Sequence, residues 1–371
     1  CYAMYGGVLF VEGQHTKIIN SSIEDSYAYL DGGAIYIVGG EETIVSKSIF
    51  DNCTSVDGEG GAIFVAGHYT QISDTNFTNC NASSQYGLGG AIFISGEETT
   101  IQNATFDECV SVDGGAIYIE GNDAQIYDSD FIGNKLVGYD EDDNYGGAIY
   151  INGERTIIST STFEDHSAYT GGSIYINGTD TTILDSNITK STADYGGAVF
   201  IQGINAKIEG GNISYCTCTY DGGAIYVNGT NAHISADFAY CNASSADTPD
   251  IIGNGGAIYV NGTDTNVYDS TFLNCIAMND GNGGAIYIEG VNTLVQTSKF
   301  QNTWTSDNAE GGAIYIYGAN ATVAVSEFIT THSKEGGAIY IYGPNATVDK
   351  SKFVDSHAAF GGAIYIEGIN T

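Results

Sequence analysis

The sequence predicts an all-β fold, a right-handed parallel β-helix (β-solenoid) of about fourteen coils of 25–33 residues. Three observations predict this fold. A double glycine recurs along the 371 residues, and its second glycine begins fourteen copies of one repeat. Each copy continues with the two-residue alternation of a half-buried β-strand, and no helical periodicity interrupts it. Parallel crossover connections are almost always right-handed, which sets the expected hand of the coil.

The first strand of each coil follows the double glycine. Counted from the second glycine as position 0, positions +2 and +4 are aliphatic and position +3 is Tyr or Phe, as in Ile35, Tyr36 and Ile37. Because successive side chains of a strand point to opposite faces, we expect +2 and +4 to point into the core. The aromatic residue at +3 is then expected to point outward.

Two further short strands are predicted in each coil. One carries an aliphatic residue near position +11, as in Ile18 and Ile72, and the other carries Phe or Ile near position +16, as in Phe77 and Phe106. One coil buries too few large side chains to offset the conformational entropy of ordering about 25 residues, at about 1–2 kcal/mol each. The coils are therefore expected to stack on their neighbours, like on like. We predict one continuous β-helix over residues 1–371, as a segment of a longer array.

The charge excludes some classes of partner. The chain has 45 acidic and 10 basic residues, a formal net charge of −35. Such a chain repels nucleic acid and anionic membranes. No stretch of about 18 apolar residues is present, so we expect no direct membrane insertion. We expect no cofactor.

A resemblance follows from the repeat itself. The tetrapeptide GGAI recurs from Gly32–Ile35 to Gly361–Ile364, and a downstream FxxN occurs as Phe131–Asn134. These repeats resemble those of the polymorphic outer-membrane protein family. That resemblance implies a β-helical, surface-exposed passenger region that acts as an adhesin, and hence an extracellular or cell-surface location.

The outward aromatic residues form the first candidate site. Each coil contributes one, so we expect a continuous aromatic face, and exposed apolar surface of this size usually marks a partner. The alternative is that neighbouring rings only stack on each other and stiffen the sheet. The residues of this aromatic face are Phe10, Tyr36, Phe64, Phe93, Tyr118, Tyr150, Tyr175, Phe200, Tyr226, Tyr259, Tyr287, Tyr315, Tyr340 and Tyr365.

Cysteines recur at position +19. Stacked coils would place equivalent Cα atoms about 4.8 Å apart, near the short end of the range for a disulfide. Reduced ladders of small thiols are favoured, and one or two disulfides stay possible. The cysteine ladders are Cys53, Cys80 and Cys109, then Cys216, Cys241 and Cys275.

Thirteen Asn-x-Ser/Thr sequons are present, and several fall at outward positions where a glycan would not enter the core. We predict N-glycosylation outside the cell. The sequons are Asn20, Asn52, Asn76, Asn81, Asn103, Asn177, Asn187, Asn212, Asn228, Asn242, Asn261, Asn320 and Asn345.

Long loops and histidines give weaker signals. The longest insertions, Lys135–Tyr145 and Ser244–Asn254, fall at the same corner of their coils. The acidic run in the first of them lacks the spacing of a calcium loop, so a solvated loop is the preferred interpretation. His166 is the histidine that falls at position +19. We expect no metal site.

Catalysis is not expected. Polysaccharide cleavage needs a defined pair of carboxylates or a cation beside the developing charge, and the chain has a single arginine, Arg155. The function predicted first is a non-enzymatic, glycosylated structural rod or filament subunit outside the cell. The alternative is a cell-surface adhesin that binds a glycan or receptor through its loop edge or aromatic face. A polysaccharide lyase or hydrolase is the third hypothesis.

The two ends of the sequence lead to an expectation about assembly. Solenoids normally stop with an atypical capping repeat, because an open end presents unpaired backbone groups. Here the first and last copies are ordinary repeats. We therefore expect the chain to continue into further coils or to associate with itself, head to tail or laterally.

Overall fold

The structure is a computed structural model that describes residues 1–39, 41–138, 144–244 and 251–371. Its contacts divide the chain into two compact units, Cys1–Asn187 (unit 1) and Ile188–Thr371 (unit 2). Each unit is a right-handed parallel β-solenoid, and no helix occurs among the described residues. The predicted fold class is confirmed.

The first strands stack in register, coil on coil, and form sheet 1. Tyr36, for example, lies opposite Phe64, which lies opposite Phe93. In unit 1 sheet 1 consists of Leu9–Val11, Ile35–Ile37, Ile63–Val65, Ile92–Ile94, Ile117–Ile119, Ile149–Ile151 and Ile174–Ile176. In unit 2 it consists of Val199–Ile201, Ile225–Val227, Ile258–Val260, Ile286–Ile288, Ile314–Ile316, Ile339–Ile341 and Ile364–Ile366.

The strands near position +11 form sheet 2. In unit 1 they are Lys17–Ile19, Ile44–Ser46, Gln71–Ser73, Thr100–Gln102, Gln125–Tyr127, Ile157–Ser159 and Thr182–Leu184. In unit 2 they are Lys207–Ser214, His233–Ala239, Asn266–Tyr268, Leu294–Gln296, Thr322–Ala324 and Thr347–Asp349.

The strands near position +16 form sheet 3. In unit 1 they are Ser22–Glu24, Ile49–Asp51, Asn76–Thr78, Thr105–Asp107, Asp130–Ile132 and Thr162–Glu164. Unit 2 has Asn187–Thr189, which begins at the last residue of unit 1, and then Thr271–Leu273, Lys299–Gln301, Glu327–Ile329 and Lys352–Val354.

Two coils of unit 2 lack the corner between sheets 2 and 3. The strands Lys207–Ser214 and His233–Ala239 run through it as single long strands. Gly210 and Gly211 both have positive φ angles, of 72° and 76°, where the ladder between the two strands shifts register. Glycine adopts this conformation without the steric cost that a Cβ brings, so a bulge replaces the usual turn.

A fourth short strand, which most coils contain, was not predicted. Its members are only two residues long, too short for an alternating pattern to show in the sequence. In unit 1 sheet 4 consists of Tyr2–Ala3, Tyr27–Ala28, Thr54–Ser55, Asn81–Ala82, Val110–Ser111 and Lys135–Leu136. In unit 2 it consists of Thr192–Ala193, Thr217–Cys218, Asn242–Ala243, Ile276–Ala277 and Trp304–Thr305.

The core of each unit is built from repeated columns of like side chains. The aliphatic pair of sheet 1 is fully buried in most coils, as in Ile63 and Val65. The Phe residues of sheet 3 stack face to face, with ring centroids 4.9 Å apart for Phe77 and Phe106 and 4.7 Å apart for Phe272 and Phe300. Such stacking adds about 0.5–1.5 kcal/mol per pair to the burial of the rings.

The double glycine is fixed by the close approach of stacked backbones. A Cβ on Gly90 would lie 2.1 Å from the carbonyl oxygen of Gly115 in the next coil. The preceding Gly89 has a φ of +65°, a conformation that glycine adopts readily. The corner therefore brings each coil close enough to hydrogen-bond the next coil.

Candidate functional site

The aromatic residues at position +3 form one column on the outer face of sheet 1 in each unit, here called the aromatic column. The ring centroids of successive members lie 4.5–5.5 Å apart in unit 1 and 4.8–5.2 Å apart in unit 2. All fourteen predicted residues occupy the predicted column. Their planes are close to parallel, so successive rings within a unit cover each other's faces.

This stacking changes the expectation of a continuous exposed aromatic surface. Phe93, Tyr259 and Tyr340 keep only 3%, 7% and 6% of their surface exposed. Five of the fourteen rings are buried, eight are half-buried and Phe10 is exposed, so the exposed aromatic surface is smaller and less continuous than expected. Where the rings stack, ring edges and phenolic oxygens remain at the surface. The aromatic column is thus a stacked support that presents hydroxyl groups.

Two columns of polar side chains run beside the aromatic column of unit 2. The first, here called the loop flank, lies two residues before the second glycine and includes Asp221, Asn254, Asn282 and Glu310. Backbone N–H groups of Asn254, Asn282 and Glu310 donate to the side chain of the preceding member at 2.9, 3.0 and 2.8 Å. The loop flank is therefore held in position by the coil above it. Sequence reasoning missed it, although a polar residue at this position in most coils was the available signal.

The second column, here called the strand flank, lies at position +5. The carboxamide of Asn228 donates to Gln202 at 2.8 Å, and that of Asn261 donates to Asn228 at 2.9 Å. Further along, the rings of Tyr317 and Tyr342 stack 5.3 Å apart and are about half exposed. This flank gives the face both hydrogen-bonding groups and accessible aromatic surface.

Carboxylates dominate the electrostatics of this face. The hydroxyl of Tyr340 donates to Glu367 Oε2 at 2.6 Å, and that of Tyr259 donates to Glu289. Burial, followed by nearby Glu310, raises the pKa of Tyr315 to about 12. Burial also raises the pKa of Asp221 above its usual value. The face therefore presents neutral phenols and negative carboxylates.

Unit 1 repeats the arrangement. Burial raises the pKa of the Glu59 carboxyl to about 7, with smaller contributions from Asp31 and Glu120. Burial, followed by nearby Asp113, raises the pKa of Tyr150 to about 12. In both units the charges that act most on the aromatic column are negative.

The cysteine ladders lie where they were predicted, inside the coil. All eight cysteines are free thiols, and every one except Cys1 is buried. Cys53 Sγ lies 3.7 Å from the carbonyl oxygens of Ile23 and Asp51, within weak hydrogen-bonding distance. Burial raises the pKa of Cys80 and Cys241 well above the usual value, which leaves little reactive thiolate. The ladders therefore act as packing columns.

His166 joins the same inward column as Cys109 and Asn134, and all three are buried. Asn134 Nδ2 donates to His166 Nε2 at 3.3 Å, so the imidazole carries its proton on Nδ1, 3.2 Å from Ser173 Oγ. Burial lowers the pKa of His166 to about 3. The signal for this cluster was the change from GGAI to GGSI at Ser173, which supplies the hydroxyl that the imidazole needs.

The predicted sequons lie mainly on the surface. Ten of the thirteen asparagines are exposed, and Asn81, Asn187 and Asn242 are only partly exposed. Several already bind a neighbouring coil, as Asn103 Nδ2 binds Asp74 at 2.7 Å and Asn52 Nδ2 binds Asp25 at 2.6 Å. Glycosylation stays a prediction.

The whole acidic run in the loop Lys135–Tyr145 and part of the loop Ser244–Asn254 lie outside the described residues. In the parts of the chain that the structure describes, no three His, Cys, Asp or Glu residues form a group that could hold a metal ion. None of the described segments is a helix long and apolar enough to span a membrane.

Residues 5–169 match a family model described as a right-handed β-helix region. No curated protein sequence matches the chain. The match agrees with the coiled architecture of unit 1. Neither finding identifies the chain with the polymorphic outer-membrane family, so that resemblance stays a hypothesis.

Three solved structures illustrate the likeness of fold. PfbA, a surface adhesin of Streptococcus pneumoniae, is 13% identical, with 87% of this chain and 83% of that chain covered and a TM-score of 0.54. The A-module of the mannuronan C-5 epimerase AlgE6 of Azotobacter vinelandii is 14% identical, with 94% of this chain and 91% of that chain covered and a TM-score of 0.55. The tailspike protein of E. coli bacteriophage HK620, in complex with a hexasaccharide, is 9% identical, with 93% of this chain and 73% of that chain covered and a TM-score of 0.53.

These likenesses contradict the function predicted first. The named neighbours are an adhesin, an epimerase that acts on mannuronan and a tailspike with a bound hexasaccharide, and none is named as a structural filament. The prediction of a structural rod or filament subunit is therefore wrong as the leading hypothesis. Repeat stacking was the ground for it, but stacking explains the fold of a solenoid and does not bear on its task. Self-association of the chain stays a prediction.

Proposed function

We propose that the chain is a non-catalytic glycan-binding protein of the cell surface or extracellular space, and that it holds an uncharged polysaccharide against sheet 1 of unit 2. The observation that carries this proposal is the column of phenolic hydroxyls between the loop flank and the strand flank. A polymer of repeated hydroxyl-bearing units matches a surface on which hydrogen-bonding groups repeat once per coil.

Electrostatics selects the class of polymer. The charged partners of the aromatic column in unit 2 include Asp221, Glu289 and Glu367. A polyuronate or sulfated polymer would meet like charge along this face, and like charge across an interface costs several kcal/mol. An uncharged polymer instead donates its hydroxyl hydrogens to the carboxylates and accepts from phenols and carboxamides.

The proposed location draws on two supports. The GGAI repeats resemble those of polymorphic outer-membrane proteins, which are surface adhesins, and one structural neighbour is named as a surface adhesin. The absence of catalysis is proposed because the carboxylates follow the repeat from coil to coil.

The experiment removes hydroxyls and keeps the ring stack. Phe occupies this column in other coils, for example at Phe64 and Phe200, so the triple substitution Tyr226→Phe, Tyr287→Phe and Tyr315→Phe should preserve the fold. Affinity for a glycan identified on a panel of uncharged oligosaccharides should fall about tenfold or more, because each net hydrogen bond contributes about 1 kcal/mol. The matched control is Tyr215→Phe with Tyr240→Phe, a stacked pair 5.0 Å apart outside sheet 1. Equal glycan affinity of the triple variant and the control variant would show that the glycan does not bind to this face.

A further inference from the structure

A second surface, on sheet 2 of unit 1, has the properties of a small binding site. A groove of about 240 Å³ opens there across three successive coils, here called the polar groove. It lies on a different sheet from the aromatic column and in the other unit from the proposed polysaccharide face. Its lining residues are Gln71, Ile72, Ser73, Thr100, Gln102 and Tyr127.

The groove results from side-chain size within a regular ladder. Ser73, Gln102 and Tyr127 are ladder partners, one from each coil, and all point outward. The short Ser73 leaves space beside it, while Gln102 and Tyr127 form a wall. Gln71 and its ladder partner Thr100 form the opposite side, and the buried Ile72 lies between them as the floor. Because the strands hold this register, the groove exists without any rearrangement.

The polar groups of the groove are not committed to the protein. Among the described residues, the side chains of Gln71, Gln102 and Tyr127 make no hydrogen bond, and no other ring stacks on Tyr127. The nearby corner residues are different, since Asp74 accepts from Asn103 at 2.7 Å and Asp128 accepts from Thr160 at 2.7 Å. The two carboxamides at the groove therefore stay available to a ligand.

We propose that the polar groove binds a single uncharged sugar ring. The lining holds no charged side chain, which sets it apart in a chain of net charge −35. Carboxamides and hydroxyls supply both donors and acceptors for sugar hydroxyls, and the open side of Tyr127 offers a surface for the C–H groups of a pyranose. The volume is below the range of about 300–1,000 Å³ typical of larger ligands, so one ring fits and an internal stretch of polymer does not.

Unit 2 supplies a matched control. Tyr268 occupies the same ladder position as Tyr127, but its hydroxyl donates to Glu209 Oε1 at 3.3 Å. Its ring also meets the ring of His233 edge-on, with centroids 6.5 Å apart. The equivalent place in unit 2 is therefore occupied by the protein's own side chains, and we expect no sugar to bind there.

The experiment titrates the full chain with methyl glycosides of neutral sugars and with glucuronate, and follows the side-chain amide resonances of Gln71 and Gln102. We expect one or more neutral glycosides to shift both resonances saturably, and glucuronate to have no effect. Tyr127→Ser introduces the residue type that its ladder partner Ser159 already has. It should lower the affinity for the neutral glycoside about tenfold, the effect of losing one favourable contact. Tyr268→Ser should leave it unchanged.

The outcomes separate this proposal from that for sheet 1. Shifts that persist in Tyr127→Ser, or that appear only with glucuronate, would overturn the polar groove as a site for a neutral sugar. If no neutral sugar shifts the two resonances, the groove holds only water and the proposal is wrong. Polysaccharide binding that is lost in the triple Tyr→Phe variant of unit 2 and kept in Tyr127→Ser would still support the first proposal.

Discussion

His166 makes the stability of the chain depend on pH. Burial lowers its pKa from 6.5 to about 3, so the unfolded chain binds the proton more tightly than the folded one. The stability that the neutral His166 contributes is fully present above pH 6.5 and is lost as the pH is lowered toward 3. At 1.36 kcal/mol per pKa unit, the expected loss is about 2 kcal/mol at pH 5 and roughly 4 kcal/mol near pH 3.

The variant His166→Asn tests this dependence, because Asn134 shows that the column accepts an asparagine. Urea unfolding between pH 7.5 and pH 4 should show a steeper loss for the natural protein than for the variant. His15→Asn, at an exposed histidine bonded to Glu42, is the control and should follow the natural protein. Parallel curves for all three proteins would contradict the assignment.

The pH dependence of stability that Glu59 contributes has the opposite sign to that of His166. Its pKa is raised from 4.5 to about 7, chiefly by burial, so the folded chain binds this proton more tightly than the unfolded one. The contribution is present below pH 4.5 and is lost as the pH rises through 7. Glu59→Gln should therefore melt at a higher temperature than the natural protein at pH 8 and at a similar temperature at pH 4.5. The exposed Glu12→Gln should show no such crossover, and a Glu59→Gln variant less stable at pH 8 would refute the prediction.

At the scale of the strand, the double glycine allows the backbones of successive coils to stack closely. A Cβ on Gly115 would lie 2.1 Å from the carbonyl oxygen of Gly147, whereas a Cβ on Gly13 would meet nothing closer than Thr16 Oγ1 at 3.8 Å. Gly115→Ala should therefore lower the free energy of unfolding by about 3 kcal/mol or more through strain between coils. Gly13→Ala should change it by less than about 0.5 kcal/mol.

Denaturant unfolding of the two glycine variants measures the difference. Both substitutions add the same methyl group to the same unit, so intrinsic propensity cannot produce a large gap between them. Equal stabilities would show that adjacent coils do not approach as closely as the structure places them.

The sequence was sufficient for most elements and insufficient for some. The aliphatic residues around Tyr36 and the phenylalanines such as Phe77 alternate clearly enough to predict the strands of sheets 1 to 3. The strands of sheet 4, such as Thr54–Ser55, are too short to show any period. The single long strand Lys207–Ser214 depends on a bulge at Gly210 and Gly211. In the sequence these two glycines predict an ordinary turn.

The candidate sites were less accessible to sequence reasoning than the elements. The position of the aromatic column follows from alternation, but the burial of Tyr259 and Tyr340 depends on ring planes that only the stacked coils define. The polar groove depends on Ser73 and Tyr127 meeting in one column from coils of different length. Neither side-chain size nor free hydrogen-bonding capacity at one position signals a groove until the register is known.

At the scale of the molecule, glycosylation and glycan binding interact. Asn228 and Asn261 are sequons on the strand flank, where an attached glycan would cover the proposed polysaccharide face. Intact mass before and after glycosidase, on protein from a eukaryotic secretory host, should show attached glycans. Peptide mapping should find the partly exposed Asn81, Asn187 and Asn242 unoccupied, because the fold leaves little space there. A mass equal to that of the bare polypeptide would remove the prediction of glycosylation.

The measurement that tests the central claim most directly is a calorimetric titration of the unglycosylated full chain with an uncharged polysaccharide and with a polyuronate. The account predicts saturable heat for the uncharged polymer, little changed between about 0.1 M and 1 M salt because no charge is paired. It also predicts no saturable heat for the polyuronate and no continuing heat flow after mixing. Binding of the polyuronate alone would contradict the account, as would steady heat release that reveals turnover or the absence of saturable binding to any uncharged polymer.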